Sequence, residues 1–406
     1  MKRVVVTGIG MITSLGLDKQ SSFENICNGK TGVDKISLFD ASEFPVQIAA
    51  EVKGFDPSSI IEDGKEIKKM DRFVQLGLKA AGEAIEDAKF SGFDSDEFGV
   101  SSASGIGGLP NIEINANTCL QRGPRRISPF FIPSALVNML GGFVSIYYKL
   151  KGPNLSSVTA CAASAHAIMD AARVIMIGEA KKMLAVGAEA AVCPVGIGGF
   201  AAMKALCARN DDPAHASRPF DAERNGFVMG EGAAALVLEE LEDAKARGAK
   251  IYAEIVGFGT TCDGTHITRP QSETMRAAMQ LALKDAAISP DLIGHVNAHA
   301  TATKQGDVAE STATHEIFGS QTPVSSYKGY LGHTLGACGA LESFISVMMM
   351  NEGLFYPNLN LQAIDPECAP LRYLTQPQEI NTNYVMNNNF AFGGVNTSLI
   401  FKKFIG

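Results

Sequence analysis

Apolar and polar positions along the chain follow two alternating periods. Residues 4–7 form a β-branched apolar run before Gly8 and Gly10, which predicts a buried strand bounded by the glycines. Residues 72–90 place apolar side chains at three- and four-residue steps and charged side chains on the other faces, which predicts an amphipathic helix. The same patterns predict strands at 98–102, 183–187, 233–238, 251–257, near 296 and at 324–326, and helices at 239–247, 275–287 and 338–350.

Strands that alternate with helices are typical of the α/β class, in which helices cover a parallel or mixed sheet. The strand pattern starts again near residue 250, and no Pro- or Ser-rich linker divides the chain. We therefore predict two similar halves packed as one body, residues 1–250 and residues 251–406. Direct repetition of sequence between the halves is too faint to establish a duplication.

The longest apolar stretch, residues 130–150, contains interruptions such as Pro133, Asn138 and Gly141. A membrane-spanning helix needs about 20 predominantly apolar residues, so we interpret this stretch as a core helix. The apolar start of the chain stops at Thr7 and Gly8, which fits a first strand better than a signal peptide. We expect a cytoplasmic protein without a membrane span.

The composition is that of a folded protein, since 46% of the 406 residues are hydrophobic and 19% are charged. The net charge of −8 argues against a nucleic-acid partner, because such binders carry a basic surplus. Eight cysteines occur without a Cys-x-x-Cys pair, at positions 27, 119, 161, 193, 207, 262, 338 and 368. This irregular spacing favours reduced thiols over a disulfide framework or a zinc finger.

One cysteine, Cys161, has unusual neighbours. It lies among alanines and serines, between a strand-like segment and a long apolar helix. At such a helix N-terminus, backbone N–H groups and the positive end of the helix dipole are expected to lower the thiol pKa from about 8.5. Small neighbours also leave room for a substrate. A buried structural cysteine is the alternative that this segment leaves open.

Two histidines, His299 and His333, follow strand-like runs and enter loops of small residues, which can carry a side chain into a cleft. Lys328 precedes the second by five positions. A single histidine is more often structural, but two of them downstream of a candidate nucleophile favour catalysis. Zinc is the rival hypothesis. The histidines are 34 positions apart and have no local cluster of ligands, so we expect no metal.

In this order, these segments resemble the condensing enzymes of the thiolase superfamily, and most of all the elongating β-ketoacyl-acyl carrier protein synthase II family. The resemblance runs nearly end to end. It is carried by the residues around Cys161 and His333, by the Phe-x-Phe-Gly-Gly motif at 390–394, and by the segments 6–10, 105–108, 123–131, 217–221 and 226–232. It implies a thiolase-like fold of two related halves in five layers, αβαβα, and a homodimer.

The resemblance also implies an activity, the decarboxylative Claisen condensation of an acyl thioester with malonyl-acyl carrier protein in fatty-acid chain elongation. Cys161 would hold the acyl chain as a thioester, which splits the reaction into two easier steps. His299 and His333 would donate hydrogen bonds to the malonyl thioester carbonyl as an enolate develops. No cofactor is implied, because the substrates arrive on the phosphopantetheine of acyl carrier protein.

Supporting roles follow from the same resemblance. Lys328 would organise the site electrostatically, supported by Glu342 and Asp307. Backbone N–H groups of Cys161 and Phe392 would form the oxyanion hole. Phe392 would also gate the acyl pocket, with a packed core aromatic as the alternative.

Other matched positions concern the substrate and the partner. Ile112 and Phe200 match the lining of the acyl pocket, and Phe131 lies where the dimer neighbour closes that pocket. The basic residues that match contacts to the acidic carrier protein are Lys65, Lys68, Lys69 and Lys204. Charge complementarity of this kind orients an encounter, and a solvated lysine face is the alternative.

Two loops depart from the family pattern. Ala300 stands where Gly is usual, and Lys304 replaces a Pro. On the gating loop, Ala391 replaces Gly and Val395 replaces Thr. Alanine is strained wherever the backbone needs a positive φ, so we expect altered loop motion or chain preference.

These departures keep two other hypotheses open. One is a specialised ketosynthase of an aryl polyene or type II polyketide pathway, which can form a heterodimer with a chain-length-factor subunit. The other is an inactive partner subunit, which the intact Cys161, His299, Lys328 and His333 argue against.

Overall fold

The computed structural model describes residues 1–405, and Gly406, the last residue of the predicted second half, lies outside the described residues. The helices are α1 (Lys19–Cys27), α2 (Gly64–Ile67), α3 (Arg72–Asp87), α4 (Leu109–Arg122), α5 (Phe131–Ala135), α6 (Met139–Tyr148), α7 (Ala163–Ile177), α8 (Pro194–Ala202), α9 (Leu241–Ala246), α10 (Ser272–Ala286), α11 (Lys304–Phe318), α12 (Lys328–Leu331) and α13 (Cys338–Glu352). The strands are β1 (Val4–Thr13), β2 (Asp34–Lys35), β3 (Ile48–Ala49), β4 (Phe98–Ala103), β5 (Asn154–Ser157), β6 (Lys182–Glu189), β7 (Gly232–Glu240), β8 (Ala253–Cys262), β9 (His295–Asn297), β10 (Pro323–Ser325), β11 (Leu354–Phe355), β12 (Arg372–Tyr373), β13 (Gln378–Glu379), β14 (Tyr384–Ala391) and β15 (Val395–Lys402).

Eleven strands form one continuous mixed sheet in the order β12-β10-β9-β14-β15-β8-β1-β7-β6-β4-β5. Outward from β1 come β7, β6, β4 and β5, and outward from β8 come β15, β14, β9 and β10. In both series two antiparallel pairings precede two parallel ones. The series meet where β1 and β8 pair antiparallel, with Val4 opposite Ile255. One topology therefore occurs twice along the chain.

Helices cover both series of strands in layers. Helices α3 and α6 pack on the outer face of the first series, through side chains such as Phe73 and Leu140. Helices α10 and α11 cover the outer face of the second, where Met279 is buried. Between the two series lie α7 and α13, whose Ile168 and Phe344 share one core cluster. This five-layered arrangement confirms the predicted thiolase-like α/β fold.

Strand β1 (Val4–Thr13) is longer than the predicted run of residues 4–7 because the glycines do not end it. A Cβ atom on Gly8 would lie 2.2 Å from the carbonyl oxygen of Ala84, and one on Gly10 would lie 2.1 Å from that of Ala80. Both carbonyls belong to α3. The glycines therefore serve close approach of helix to strand rather than a turn.

Two predicted helices are wrong in extent. Residues 130–150 form α5 and α6 instead of one helix, because the backbone becomes extended at Leu136 (ψ 132°). Part of this segment is exposed to solvent, since the relative accessible surface of Ile146 is 73%. The segment is therefore not a uniform core helix. Residues 239 and 240 belong to β7, and the charged helix α9 begins at Leu241. Glu239 stays in the buried strand because Arg247 Nε donates to its carboxylate at 2.9 Å.

One stretch in the described chain, Ala160–Ile177, is long and apolar enough to cross a membrane by length and composition alone. It comprises the turn at Cys161 and helix α7. Because 67% of it is buried among the other layers, it has the surroundings of a core helix. The stretch singled out from the sequence, residues 130–150, is interrupted between α5 and α6.

Candidate active site

Cys161 lies in a short 3-10 turn, Ala160–Ala162, that leads directly into α7. The preceding residue, Ala160, has a φ of 47°, which places it in the left-handed region that non-glycine residues rarely adopt. Such strained backbone is common where a structure must aim a functional side chain. Cys161 is 8% exposed and lines a cleft of about 590 Å³.

Two histidines complete the base of the cleft. Nε2 of His333 lies 2.9 Å from Sγ of Cys161. The ring of His299 meets the ring of His333 edge-on, with 5.2 Å between centroids. Cys161 comes from the first half of the chain and both histidines come from the second. The site therefore exists only where the halves meet.

Burial determines the protonation of these groups. Burial raises the pKa of the Cys161 thiol to about 12, against the opposing effects of Lys328 and of the Phe392 and Cys161 N–H groups. The predicted lowering of this pKa is therefore wrong, because burial outweighs the groups that favour the thiolate. Burial, with the Lys328 charge, also holds the pKa of His299 and His333 well below 6.5. Both imidazoles are neutral at physiological pH.

Lys328 supplies a fixed positive charge beside the histidines. Its Nζ donates to Oε1 of the buried Glu342. Oε2 of Glu342 accepts hydrogen bonds from Asn389 Nδ2 at 2.7 Å and Asn297 Nδ2 at 3.3 Å. Burial opposes the charge of Lys328, but Glu342, Cys338 and Glu310 together outweigh this effect and raise the Lys328 pKa. The structure thus brings Lys328 and Glu342 together beside Cys161, His299 and His333.

Glu310, on α11, is a site residue that the sequence analysis missed. Its Oε1 accepts from the backbone N–H of His299 at 2.7 Å and its Oε2 accepts from that of Ala300 at 2.6 Å. Burial raises its pKa to about 8. Glu310 therefore fixes the backbone from which His299 projects. The available signal was its place one helical turn after Asp307, on the buried face of the helix that follows His299.

Asp307 lies deeper than the cleft. Its Oδ2 accepts from the Phe220 N–H at 2.8 Å and pairs with Arg224 Nε at 3.2 Å. Burial raises its pKa to about 6. Asp307 thus anchors α11 to the segment around Phe220 and does not line the cleft.

A second carboxylate, Glu189, was also missed. It is fully buried at the end of β6 and accepts hydrogen bonds from Ser104 Oγ at 2.7 Å and Gly105 N at 2.6 Å. It also accepts from Gly336 N at 2.9 Å. The residue therefore joins the Gly-rich segment after β4 to the loop that carries His333.

Two of the aromatic residues that the resemblance assigns to the substrate pocket, Phe392 and Phe200, line the cleft. Phe392 is 38% exposed and lines the cleft, so it is not a packed core aromatic. Phe200 also lines it and meets Phe227 edge-on at 5.5 Å between centroids. Phe227 in turn meets His333 edge-on at 5.2 Å.

Two residues that the resemblance assigns to the acyl pocket do not line this cleft, and their acyl-pocket roles stay predictions. Ile112 is 39% exposed on α4 and is not part of the cleft lining, whereas Ile106 is. Phe131, at the start of α5, does not line this chain's cleft either. Its role against a dimer neighbour stays a prediction.

The predicted docking lysines fall into two groups. Lys204 lines the cleft. Lys65 and Lys68 are exposed on and just after α2. Lys69 pairs with Glu66 and lies over the ring of Phe130, 5.5 Å from its centroid.

The departures from the family pattern do not strain the backbone where we expected. Neither Ala300 nor Ala391 has a positive φ. Non-glycine residues in the left-handed region lie close in sequence to Cys161, His299 and His333, namely Ala160, Ala302 (φ 67°) and Leu335 (φ 47°). Strain is thus placed beside each of the three reacting side chains, one to three residues away in sequence.

Two groups of side chains have ligand atoms within 4.8 Å of one another, as a metal site requires. The first is Cys161 with His299 and His333, and the second is His299 with Cys338 and Glu342. In the second group the carboxylate already binds the Lys328 ammonium. A metal in the first would occupy the sulfur that a nucleophile needs free. Neither group favours a resident metal.

Comparison with known families matches nearly the whole chain. Residues 1–244 match the family "Beta-ketoacyl synthase, N-terminal domain", and residues 252–362 match "Beta-ketoacyl synthase, C-terminal domain". The "3-oxoacyl-[acyl-carrier-protein] synthase 2" of Coxiella burnetii is 46% identical over 409 residues, covering 99% of both chains. The Synechocystis protein with the same name is 45% identical over 411 residues, covering 99% of this chain and 98% of that one.

Solved structures show the same architecture. A β-ketoacyl synthase from Burkholderia phymatum superposes with a TM-score of 0.93 at 41% identity, covering 100% of both chains. The ishigamide ketosynthase/chain length factor superposes with a TM-score of 0.91 at 32% identity, also covering 100% of both.

Proposed function

The chain belongs to the β-ketoacyl synthase family, and from this premise we propose how its active site elongates acyl chains. The chain is a condensing enzyme of the acyltransferase type, a 3-oxoacyl-acyl carrier protein synthase of fatty-acid elongation. The observation that carries the mechanism is the contact between Cys161 Sγ and His333 Nε2 at 2.9 Å, with His299 beside it and Lys328 buried behind.

In the first step Cys161 takes the acyl chain. Its sulfur attacks the thioester carbonyl on the carrier's pantetheine, the carbon–sulfur bond to pantetheine breaks, and the thiol proton ends on the departing sulfur. The N–H groups of Phe392 and Cys161 that face Sγ favour negative charge there. The same two donors stabilise the oxyanion of the tetrahedral intermediate.

In the second step malonyl-acyl carrier protein enters and loses carbon dioxide. The carbon–carbon bond to the carboxylate breaks, and its electrons form an enolate at the thioester. His299 and His333 are neutral and each donates one N–H to the enolate oxygen, while the ammonium of Lys328 stabilises the developing charge. The enolate carbon attacks the carbonyl carbon of the Cys161 thioester, a carbon–carbon bond forms, and the bond from that carbon to the cysteine sulfur breaks. The cysteine leaves as a thiolate and takes a proton from water.

The partner that delivers both substrates is acyl carrier protein. An acidic carrier is complementary to the exposed Lys65 and Lys68 and to Lys204 at the cleft. The phosphopantetheine arm belongs to this partner, so the proposal requires no resident cofactor or metal. Eight free cysteines among the described residues suit a reducing compartment, and we place the enzyme in the cytoplasm.

We also propose that the enzyme is a homodimer. Strand β5 (Asn154–Ser157) lies at the edge of the sheet, and its first three residues are exposed. The apolar side chains Leu155 (38%), Val158 (54%) and Ile146 (73%) are exposed on or near it. An uncovered edge strand with apolar neighbours is a pairing surface, and a second copy of the chain would cover it.

A specialised polyketide-type ketosynthase is the alternative. The ishigamide ketosynthase is 32% identical to this chain, whereas the synthases of Coxiella and Synechocystis are 46% and 45% identical. The higher identity, across nearly the full length, supports fatty-acid elongation. An inactive partner subunit is disfavoured because the nucleophile and both histidines meet in one cleft.

A substrate-length profile tests the proposal. Purified enzyme is given saturated acyl-acyl carrier proteins of graded length with malonyl-acyl carrier protein, and 3-oxoacyl products are quantified by mass spectrometry. We expect efficient elongation of saturated chains. Refusal of all saturated chains, with acceptance of polyunsaturated or polyketide chains, would favour the specialised pathway.

A further inference from the structure

Cys338 is a buried thiol at the start of α13 that the mechanism above does not use. Its Sγ donates a hydrogen bond to the backbone carbonyl oxygen of Cys161 at 3.1 Å. This bond crosses between the two halves of the chain, because Cys161 belongs to the first half and Cys338 to the second. A side chain of the second half therefore holds the backbone of the nucleophile directly.

Two features keep the Cys338 thiol in this donor role. Burial, together with the carboxylate of Glu342, raises the pKa of the thiol well above its ordinary value, so the sulfur keeps its proton at physiological pH. Asn389 Nδ2 donates to the Cys338 sulfur at 3.4 Å. The sulfur is thus occupied as an acceptor, and its S–H is left to donate to the carbonyl of Cys161.

The side chain of Asn389 is itself fixed by its neighbours. Its Nδ2 also donates to Glu342 Oε2 at 2.7 Å, and its Oδ1 accepts from Asn387 Nδ2 at 3.2 Å. A flipped amide would turn its oxygen toward the Glu342 carboxylate, which can only accept. Hydrogen bonds therefore run from the Glu342 carboxylate through Asn389 and Cys338 to the backbone of the nucleophile.

The first turns of α7 and α13 also lie very close together. A Cβ atom on Gly339 would lie 2.5 Å from the backbone nitrogen of Ala165. Ala340 N donates to Ser164 Oγ at 2.9 Å, so a side chain of α7 holds the backbone of α13. Cys338 makes the reciprocal contact, from a side chain of α13 to the backbone that leads into α7.

The turn at Cys161 needs such a restraint because the backbone before it is strained. Ala160 has a φ of 47°, and a conformation of this kind persists only where the surrounding structure enforces it. The carbonyl of Cys161 shares its Cα atom with the Cys161 N–H, which is one of the two oxyanion donors. Holding the carbonyl therefore also limits the rotation of that N–H.

We propose that Cys338 is a positioning residue, whose hydrogen bond to the Cys161 carbonyl keeps the Cys161 N–H aimed at the oxyanion of acyl transfer. This inference rests on the proposed function, in which Cys161 takes an acyl chain from a thioester. Cys338 does not line the cleft. It therefore acts through the backbone of Cys161 and not on the substrate.

Two reactions of Cys161 separate this role from a general effect on the thiol. Acylation by acyl-acyl carrier protein passes through an oxyanion, whereas alkylation by iodoacetamide displaces iodide from a saturated carbon and forms no oxyanion. Separate samples of the full chain receive each reagent, are quenched at intervals and are digested. Mass spectrometry then follows the peptide that contains Cys161.

The variants are Cys338→Ala, which removes the donor, and Cys338→Ser, which replaces the thiol with a hydroxyl donor. The matched control is Cys207→Ala. It removes another buried thiol that donates to a backbone carbonyl, that of Ala216 at 3.5 Å, and it lies outside the cleft lining.

We expect Cys338→Ala to slow acylation about tenfold, since complete loss of one oxyanion donor costs roughly 100- to 1,000-fold. Alkylation in the same variant should stay within about twofold of the wild type, because it needs no oxyanion donor. Cys338→Ser should recover acylation to within about threefold, since the hydroxyl replaces the lost hydrogen bond. Cys207→Ala should keep both rates.

Wild-type acylation in Cys338→Ala would overturn the positioning role. So would equal slowing of acylation and alkylation, which would mean a general effect on the thiol. Acylation as slow in Cys338→Ser as in Cys338→Ala would also overturn it, because packing and not the hydrogen bond would then matter. A wild type that is alkylated at Cys161 but takes no acyl chain would refute the proposed function, and the inference with it.

Discussion

Sγ of Cys161 and Nε2 of His333 lie 2.9 Å apart, although 172 positions separate the two residues along the chain. The sulfur comes from the turn before α7, and the imidazole comes from the loop between α12 and α13. The two inner helices, α7 and α13, pack in one core cluster. The packing of α7 on α13 therefore sets the distance between the nucleophile and the histidine. The chemistry thus depends on how the two halves pack.

The charge of Lys328 should determine how its neighbouring histidines titrate. Replacing the buried pair together, as Lys328→Met with Glu342→Gln, removes both charges without leaving one unpaired. Because Lys328 lowers the pKa of His299 and of His333, we expect both pKa values to rise in the double variant. Both imidazoles should thus become protonated at a higher pH than in the wild type. NMR titration of ¹³C-labelled histidines measures this.

The control for that titration is Lys284→Met, which removes an exposed charge on α10. It should leave the two buried histidines titrating as in the wild type. Unchanged pKa values in the double variant would mean that burial alone sets the protonation of the site.

Replacing Glu310 should slow malonyl decarboxylation and leave the acylation of Cys161 nearly unchanged. Above pH 8 the wild-type Glu310 carboxyl is ionised and both of its oxygens accept from backbone donors. Under that condition the amide group of Glu310→Gln faces one of the two donors with its N–H, so at least one hydrogen bond is lost and the backbone of His299 can shift. We expect malonyl decarboxylation to fall about 10- to 100-fold, as for a displaced catalytic group. Acylation of Cys161, which does not need His299, should change less than about twofold on the same principle. Stopped-flow kinetics separates the two steps.

The matched control is Glu316→Gln, since Glu316 lies on the same helix and pairs with Arg276 at the surface. This variant should keep both rates. Equal slowing of acylation and decarboxylation in Glu310→Gln would contradict this prediction. The wild-type Glu310 carboxylate would then support the whole site and not the position of His299 alone.

Carrier docking should depend on Lys65 and Lys68. We leave Lys69 unchanged, because it already pairs with Glu66 and contacts Phe130. For Lys65→Glu with Lys68→Glu, the KM for carrier-linked substrates should rise about tenfold, since reversed charges repel an acidic partner. The KM for N-acetylcysteamine thioesters should stay near the wild-type value. Equal effects on both substrates would remove the docking assignment, and Lys284→Glu, a single charge reversal on the exposed face of α10, is the control.

The packing of α3 on β1 should be sensitive to one methyl group. A Cβ on Gly10 would lie 2.1 Å from the Ala80 carbonyl oxygen, so Gly10→Ala forces helix and strand apart. We expect a loss of about 1–3 kcal/mol in the free energy of unfolding, measured by urea denaturation. Gly92→Ala, where nothing lies within 4 Å, should change it by less than about 0.5 kcal/mol. Similar losses in both variants would contradict this account of the glycines.

The hydrophobic pattern located most strands and helices because buried elements carry their periodicity in the sequence itself. The predicted helix at 338–350 corresponds to Cys338–Glu352, and the predicted strand at 98–102 to Phe98–Ala103. Glycine is ambiguous in such a pattern, since it serves turns and close packing alike. That ambiguity explains why β1 was predicted too short.

The sequence predicted those site residues whose side chains take part in the chemistry. Cys161, His299 and His333 meet in one cleft, as the resemblance implied. Glu310 could not be found in this way, because it binds backbone N–H groups and leaves no motif. The raised pKa of Cys161 was also beyond the sequence, because it depends on burial created by both halves.

The central claim is that Cys161 carries the growing chain, and peptide-mapping mass spectrometry of the acylated enzyme tests it most directly. The enzyme is mixed with acyl-acyl carrier protein, and one portion is digested and mapped at once, while a second portion is chased with malonyl-acyl carrier protein before digestion. We predict an acyl adduct on the Cys161 peptide alone, its disappearance on the chase with formation of 3-oxoacyl-acyl carrier protein, and neither event in Cys161→Ala. An active enzyme without that adduct, or with the acyl chain on another cysteine, would contradict the account.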